Sequence, residues 1–112
     1  NCRRFNRTEA TELAAVAVHM AVEKNSLNTV YFVGTGMDEN THQFCDVLQK
    51  ELQASGIEVI VAENILYNAE NLKKLEKAKG AVLITMYTEI LQELQLLDRQ
   101  QIKVLGGIMV EE

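Results

Sequence analysis

The sequence predicts an α/β fold: a three-layer α/β/α sandwich around a four-stranded parallel sheet. Four short segments are rich in β-branched and other apolar residues, and segments with helical spacing precede each of them. The connections are long enough to hold helices, and no hairpin turn separates two strand segments. Strands that are apolar almost throughout are typical of a parallel sheet covered on both faces.

The individual elements follow from the same patterns. The apolar runs predict strands at residues 29–34, 57–62, 81–85 and 102–110. Helical spacing predicts helices at residues 8–24, 41–54, 68–79 and 88–100. The residues expected to face the core from the first two helices are Leu13, Val16, Ala17, Met20 and Ala21, then Phe44, Val47, Leu48 and Leu52. In the strands, we expect nearly complete burial of Val30, Phe32, Val59, Val61, Val82, Ile84, Val104 and Leu105.

Length and charge restrict the class of protein. A chain of 112 residues with 47% apolar side chains fits one domain over residues 1–112. The net charge of -5 argues against nucleic acid as a partner, because binding many phosphates requires a surplus of Lys and Arg. The two cysteines, Cys2 and Cys45, have no metal-binding spacing, and Cys45 is expected to be a buried thiol.

The strand order is predicted to be 2-1-3-4, which places a crevice at the end of the first strand. The segment VYFVGTGMDENTHQF, residues 30–44, leads from that strand into a helix. A phosphate-binding loop would need glycines, a lysine and a Ser or Thr here. Instead, the glycines end at Gly36, two acidic residues follow, and residues 37–49 contain no lysine. We interpret the segment as a turn in which Asp38 or Asn40 caps the helix.

These segments resemble the cytoplasmic ATPase-type domain of bacterial tyrosine kinases and of the proteins that regulate capsular and lipopolysaccharide chain length. TEATELAAVAVHMAV resembles the leading helix of that family, and VYFVGTGMDENTH resembles its first strand and loop. AVLITMYTEILQELQLLDRQ resembles its late strand and helix, and IKVLGGIMVE its closing strand. The resemblance implies a P-loop or Rossmann-like fold.

Where the family has the loop SPGEGKST, this chain departs from it. Asn40 stands at the lysine, Met37 and Glu39 stand at glycines, and only Thr41 keeps a hydroxyl suited to a metal. The pair of aspartates that ends the family's next strand would fall on residues 62–64, and a third motif has no counterpart. The resemblance thus implies a relative with no catalytic residues, cofactor or metal. Its candidate degenerate phosphate-loop positions are Gly34, Thr35, Gly36, Asp38, Asn40 and Thr41.

The function expected from this resemblance is a regulatory or assembly module in bacterial surface polysaccharide biosynthesis. Its expected partner is a second copy of itself, or a related kinase or chain-length regulator. The chain begins with Asn1 rather than Met, so we expect it to be a piece of a longer polypeptide, and the resemblance implies that the upstream sequence anchors it to a membrane. Arg3, Arg4 and Arg7 would then lie on the cytoplasmic side, at the inner face of that membrane.

Two alternatives stay open at this stage. One is an α/β domain that senses a small molecule or phosphate, including a receiver-like signalling domain. A receiver needs an acidic pair after its first strand and an Asp after its third, whereas this chain has Val33–Gly34 and Thr85–Met86 there. The other is an active ATPase or kinase, which the missing lysine argues against. We predict no metal site at His19 or His42.

Overall fold

The computed structural model describes residues 7–85 and 89–110, and it confirms the predicted fold class. Cys2, Arg3 and Arg4 lie outside the described residues. The helices are α1 (Arg7–Lys24), α2 (Glu39–Ala54), α3 (Ala69–Lys74, continued by a 3-10 turn at Leu75–Lys77) and α4 (Leu91–Arg99). The strands are β1 (Thr29–Gly34), β2 (Glu58–Glu63), β3 (Gly80–Thr85) and β4 (Lys103–Met109).

The four strands form a parallel sheet in the predicted order β2-β1-β3-β4. Val30 of β1 lies beside Val59 of β2, and Phe32 of β1 lies beside Val82 of β3. The register between β3 and β4 shifts after Ala81, which marks a bulge in the outer strand. All four carboxyl ends lie along one edge of the sheet, because parallel strands run in the same direction.

Helices cover both faces of the sheet, so each strand contributes alternate side chains to two cores. Under α1 and α2, Phe32 of β1 packs with Leu48 and Leu52 of α2. On the opposite face, Val33 of β1 packs with Leu97 of α4. The alternation along β1 therefore explains why its apolar run is continuous.

The outer strands are less buried than predicted. Val30, Phe32, Val59, Val82 and Ile84 are buried as expected. In contrast, Val61, Val104 and Leu105 are only partly buried. The prediction was wrong for these three because β2 and β4 are the edge strands, and an edge strand lacks a neighbour on one side.

The face of α1 that meets the sheet also differs from the prediction. Val18 and Val22 are buried, whereas Leu13, Val16 and Met20 are 51%, 57% and 64% exposed. The helix carries Ala, Val or Leu around most of its circumference, so apolar spacing alone did not identify the core-facing side. None of the helices in the described part of the chain is both long and apolar enough to cross a membrane.

Helix ends differ from the predicted ones by a few residues. Helix α2 begins at Glu39 rather than at residue 41, because Asp38 supplies its N-cap. The third helix tightens into a 3-10 turn after Lys74. Helix α4 was predicted to begin at residue 88 but begins at Leu91. Residue 88 itself lies outside the described residues.

The two neighbouring residues Leu48 and Val47 on α2 test this packing. Leu48 is fully buried, so Leu48→Ala should lower the free energy of unfolding by about 2–5 kcal/mol through the cavity that it leaves. The prediction that Val47 faces the core was wrong, because this residue is 49% exposed, so Val47→Ala should cost less than about 1 kcal/mol. Urea denaturation followed by circular dichroism measures both. Equal losses for the two variants would contradict the assigned orientation of α2.

Candidate functional site

The candidate site is the turn between β1 and α2, at the carboxyl edge of the sheet. The connection after β1 leads to α2 on one face, and that after β3 leads to α4 on the other. Ligands of open α/β sheets bind at such a switch point. Residues 34–41 of the turn are described, while residues 86–88 after β3 lie outside the described residues.

Met37 fills the space beside the first glycine of the turn. A Cβ atom added to Gly34 would lie 2.6 Å from the Met37 sulfur, so only glycine lets this side chain fold back. Met37 packs against the core under α2, with its sulfur 3.8 Å from the Cys45 thiol. Burial raises the pKa of Cys45 to about 12, which keeps the thiol protonated and unreactive at neutral pH.

Asp38 is the N-cap of α2, as predicted for either Asp38 or Asn40. Its Oδ1 accepts a hydrogen bond from the backbone N–H of Thr41 at 2.8 Å. The proximity of Thr41, through its side chain and its backbone N–H, holds the pKa of Asp38 below its usual value. A carboxylate of the chain itself therefore binds an amide that a phosphate loop would offer to its ligand.

Asn64, the first residue after β2, binds the turn from the other side. Its Oδ1 accepts hydrogen bonds from the backbone N–H of Gly36 and from the Tyr67 hydroxyl, both at 3.0 Å. Its own N–H donates to the Gly34 carbonyl at 2.7 Å. Both Gly36 and Asn64 have positive φ, of 61° and 55°, which Gly and Asn tolerate best. The two turns are thus fixed to each other by backbone and amide groups.

Thr35 connects the turn to α4. Its hydroxyl donates to Glu93 Oε2 at 2.8 Å, and Glu93 is only 4% exposed. Sequence reasoning missed Glu93, because a glutamate in the first turn of a charged helix is typical of a solvated position. Only the packing of α4 against the sheet shows that this carboxylate is buried.

Thr41 and Asn40, the remaining sequence-predicted positions, lie in the first turn of α2. Thr41 is fully buried, and its hydroxyl has no hydrogen-bond partner among the described residues. The hydroxyl that was expected to suit a metal is therefore closed off from solvent. Asn40 is exposed on the first turn of α2, where the family places its lysine.

His42 and Glu63 form a polar contact between α2 and the end of β2. His42 Nε2 lies 2.8 Å from the Glu63 carboxylate, and this hydrogen bond raises the pKa of His42. The side-chain amide of Asn71 also binds Glu63, because it donates a hydrogen bond to the backbone carbonyl of that residue at 2.7 Å. On α1, His19 pairs with Glu23. Across the described ranges, no group of three or more His, Cys, Asp or Glu residues could hold a metal ion.

The chemistry of the turn follows from these contacts. The side chains of Asn64 and Asp38 accept hydrogen bonds from the backbone amides of Gly36 and Thr41. The thioether of Met37 fills the space beside Gly34. The carboxylates of Asp38 and Glu93 add negative charge to the turn and its contacts. Such a turn repels a triphosphate by charge, and two of its backbone donors are already occupied.

Comparisons of this chain with protein-family models, curated proteins and solved structures found no match.

Because Asp38 caps α2, we expect the domain to lose thermal stability when this side chain is removed. Asp38→Ala should lower the melting temperature by about 4–8 °C, as removal of an N-cap does in a domain of this size. Glu39→Ala, one residue further on, is the matched control, since Glu39 lies in the first turn but is not the cap. Thermal unfolding followed by circular dichroism measures both. Identical melting temperatures for the wild type and Asp38→Ala would show that the cap contributes nothing.

The contact between His42 and Glu63 predicts a dependence of stability on pH. Because the folded-state pKa of His42 is raised, the contact stabilises the fold fully below the unfolded value of 6.5 and is lost as pH rises through the higher folded value. Stability should therefore decline as pH rises from about 6 to 8. His42→Gln should flatten this decline, as measured by urea denaturation at several pH values. The same slope in wild type and variant would rule out His42 as its source.

Proposed function

We propose that this domain is a non-catalytic regulatory or assembly module in bacterial surface polysaccharide biosynthesis. It is a degenerate relative of tyrosine-kinase-type ATPase domains, and it acts in the assembly of capsule or lipopolysaccharide. The observation that carries the proposal is the occupied turn between β1 and α2. Asp38 and Asn64 bind the amides that a phosphate loop would use, and Asn40 replaces the lysine.

The fold supports this proposal in two further ways. A parallel sheet of order 2-1-3-4 with a strand–turn–helix unit at the switch point is compatible with a P-loop or Rossmann-like ancestry. The turn also keeps the left-handed Gly36 that such loops use, although its N–H now binds Asn64. The layout of a nucleotide domain is thus combined with a turn whose donors are occupied.

The proposed partners follow from the absence of catalysis. A module that carries out no reaction acts by binding, so we propose that it docks onto a second copy, a related kinase or a chain-length regulator. Sequence upstream of Asn1 would hold it at the inner face of the cell membrane. Deleting the domain from its gene should alter the chain length of the surface polysaccharide, as seen by gel electrophoresis. An unchanged length distribution would contradict the proposed role.

Nucleotide binding tests the non-catalytic character directly. Titration with ATP and Mg²⁺ in a calorimeter should show no saturable binding tighter than about 100 µM, the equivalent of roughly 5.5 kcal/mol. Asn40→Lys is the matched variant, since it restores only the lysine of the family. We expect no binding by this variant either, because Asp38 and Asn64 still occupy the amides of Thr41 and Gly36.

The opposite outcomes have distinct meanings. Saturable ATP binding by the wild type would show that the turn still works as a nucleotide loop and would refute the proposal. Binding of inorganic phosphate alone would favour a phosphate sensor instead. ATP binding by Asn40→Lys but not by the wild type would show that the missing lysine, rather than the occupied amides, accounts for the loss of nucleotide binding.

A further inference from the structure

The outer edge of β4 carries two glycines for which the chain itself gives no reason. Gly106 and Gly107 are both exposed, and β4 is an edge strand with no strand beyond it among the described residues. A Cβ atom added to Gly106 would meet nothing within 4 Å, and one added to Gly107 would meet only the Leu83 carbonyl, at 3.9 Å. Neither glycine has a positive φ, so the bulge does not require glycine either.

Glycine in a strand destabilises a fold relative to alanine. In strands, it often marks a place where another backbone or a ligand approaches closely. The described chain leaves the space beside Gly106 empty, so this space is open to a group from outside the described chain.

Helix α1 forms an apolar surface next to this edge. A small groove of about 100 Å³ runs between α1 and β4, and its floor includes both glycines. Its wall on the helix includes Ala14, Ala17 and Ala21. Leu13 and Met20, which are exposed like Val16 on the same helix, continue the surface outward. The groove and the outward face of α1 therefore form one continuous apolar surface, which we call the β4–α1 surface.

We propose that the β4–α1 surface binds the same surface of a second copy of this chain, as a twofold-symmetric dimer. The two β4 strands would lie antiparallel, which extends the sheet from four strands to eight. A twofold axis perpendicular to the sheet leaves both α1 helices on the same face. This inference rests on the proposed function, since it identifies the partner of the binding module.

The surface complements itself around one axis. An axis through Gly107 places Gly106 of one copy opposite Ile108 of the other, on the face of the sheet that α1 covers. Gly106 leaves room there for the Ile108 side chain. Ala17 lines the groove together with both glycines, so we place the axis near the middle of α1 as well.

The helix contributes matching groups around that axis. Leu13 of one copy then meets Met20 of the other. The acidic first turn of one helix, with Glu9, meets the basic last turn of the other, with Lys24. Antiparallel helices also place opposite dipole ends together.

The size of the surface determines how strong the dimer is. A strand of seven residues is about 23 Å long, and a sheet edge with one helix layer is about 20 Å deep. Each copy therefore offers roughly 450 Å², against about 800 Å² per partner in stable complexes. The dimer should be weak and concentration-dependent in solution, and attachment to a membrane would favour it by raising the local concentration.

Sedimentation equilibrium from micromolar to millimolar protein tests the proposal. The average mass should rise from the 12.6 kDa of the monomer towards twice that value. Gly106→Val fills the floor of the groove, so its mass should stay at the monomer value over the same range. Because a Cβ has free space there and Val favours strands, its melting temperature should be unchanged or higher. A purely structural glycine predicts the reverse, a lower melting temperature with the dimer intact.

Two substitutions to glutamate provide a matched pair. Met20→Glu places a charge on the β4–α1 surface and should abolish the rise in mass. Val47→Glu places the same charge at a similarly exposed residue of α2 and should leave the rise intact. A wild type that stays monomeric throughout, or equal behaviour of the two variants, would overturn the proposal. Neither result affects the ATP titration, so the proposed function is tested separately.

Discussion

The position of β1 in the sheet is the constraint on which the other features depend. Because β1 lies between β2 and β3 and all strands are parallel, each connection must cross a face of the sheet, and each crossing holds a helix. The sheet is therefore covered on both sides, and β1 is buried almost throughout. The same arrangement places the turn after Gly34 at the point where the connections after β1 and β3 diverge, next to the turn after β2.

Such a turn exposes backbone N–H groups that need partners. In this chain, Asp38 of the turn binds the N–H of Thr41, and Asn64, just after β2, binds the N–H of Gly36. A third element joins through a side chain, because the Thr35 hydroxyl donates to Glu93 of α4. The position at which a phosphate-binding loop would hold its ligand is here a point where the chain binds itself. The contacts stabilise the fold, and they also account for a proposed function that depends on binding a partner rather than on chemistry.

The edges of the sheet behave differently from its centre. An edge strand has one side without hydrogen-bonded neighbours, and natural proteins protect such edges with charges, bulges or covering segments. Strand β4 has a bulge and Lys103, but its middle is Gly106 and Gly107 beside the alanines of α1. The resulting surface is apolar and shallow, and it is the surface for which we propose self-association.

The sequence by itself determined the element order, the parallel sheet and the strand order, because continuous apolar strands separated by helix-length segments leave few packings. It also determined that the turn lacks a phosphate lysine and that Asp38 or Asn40 caps α2. Only the tertiary structure decided which face of α1 is buried, since Ala and Val surround that helix and local spacing cannot distinguish its sides. It likewise decided that Asn64 and Glu93 bind the turn, because such contacts join residues far apart in the chain. Periodicity reports a residue's own helix or strand, whereas burial and hydrogen bonding depend on what the fold places beside it.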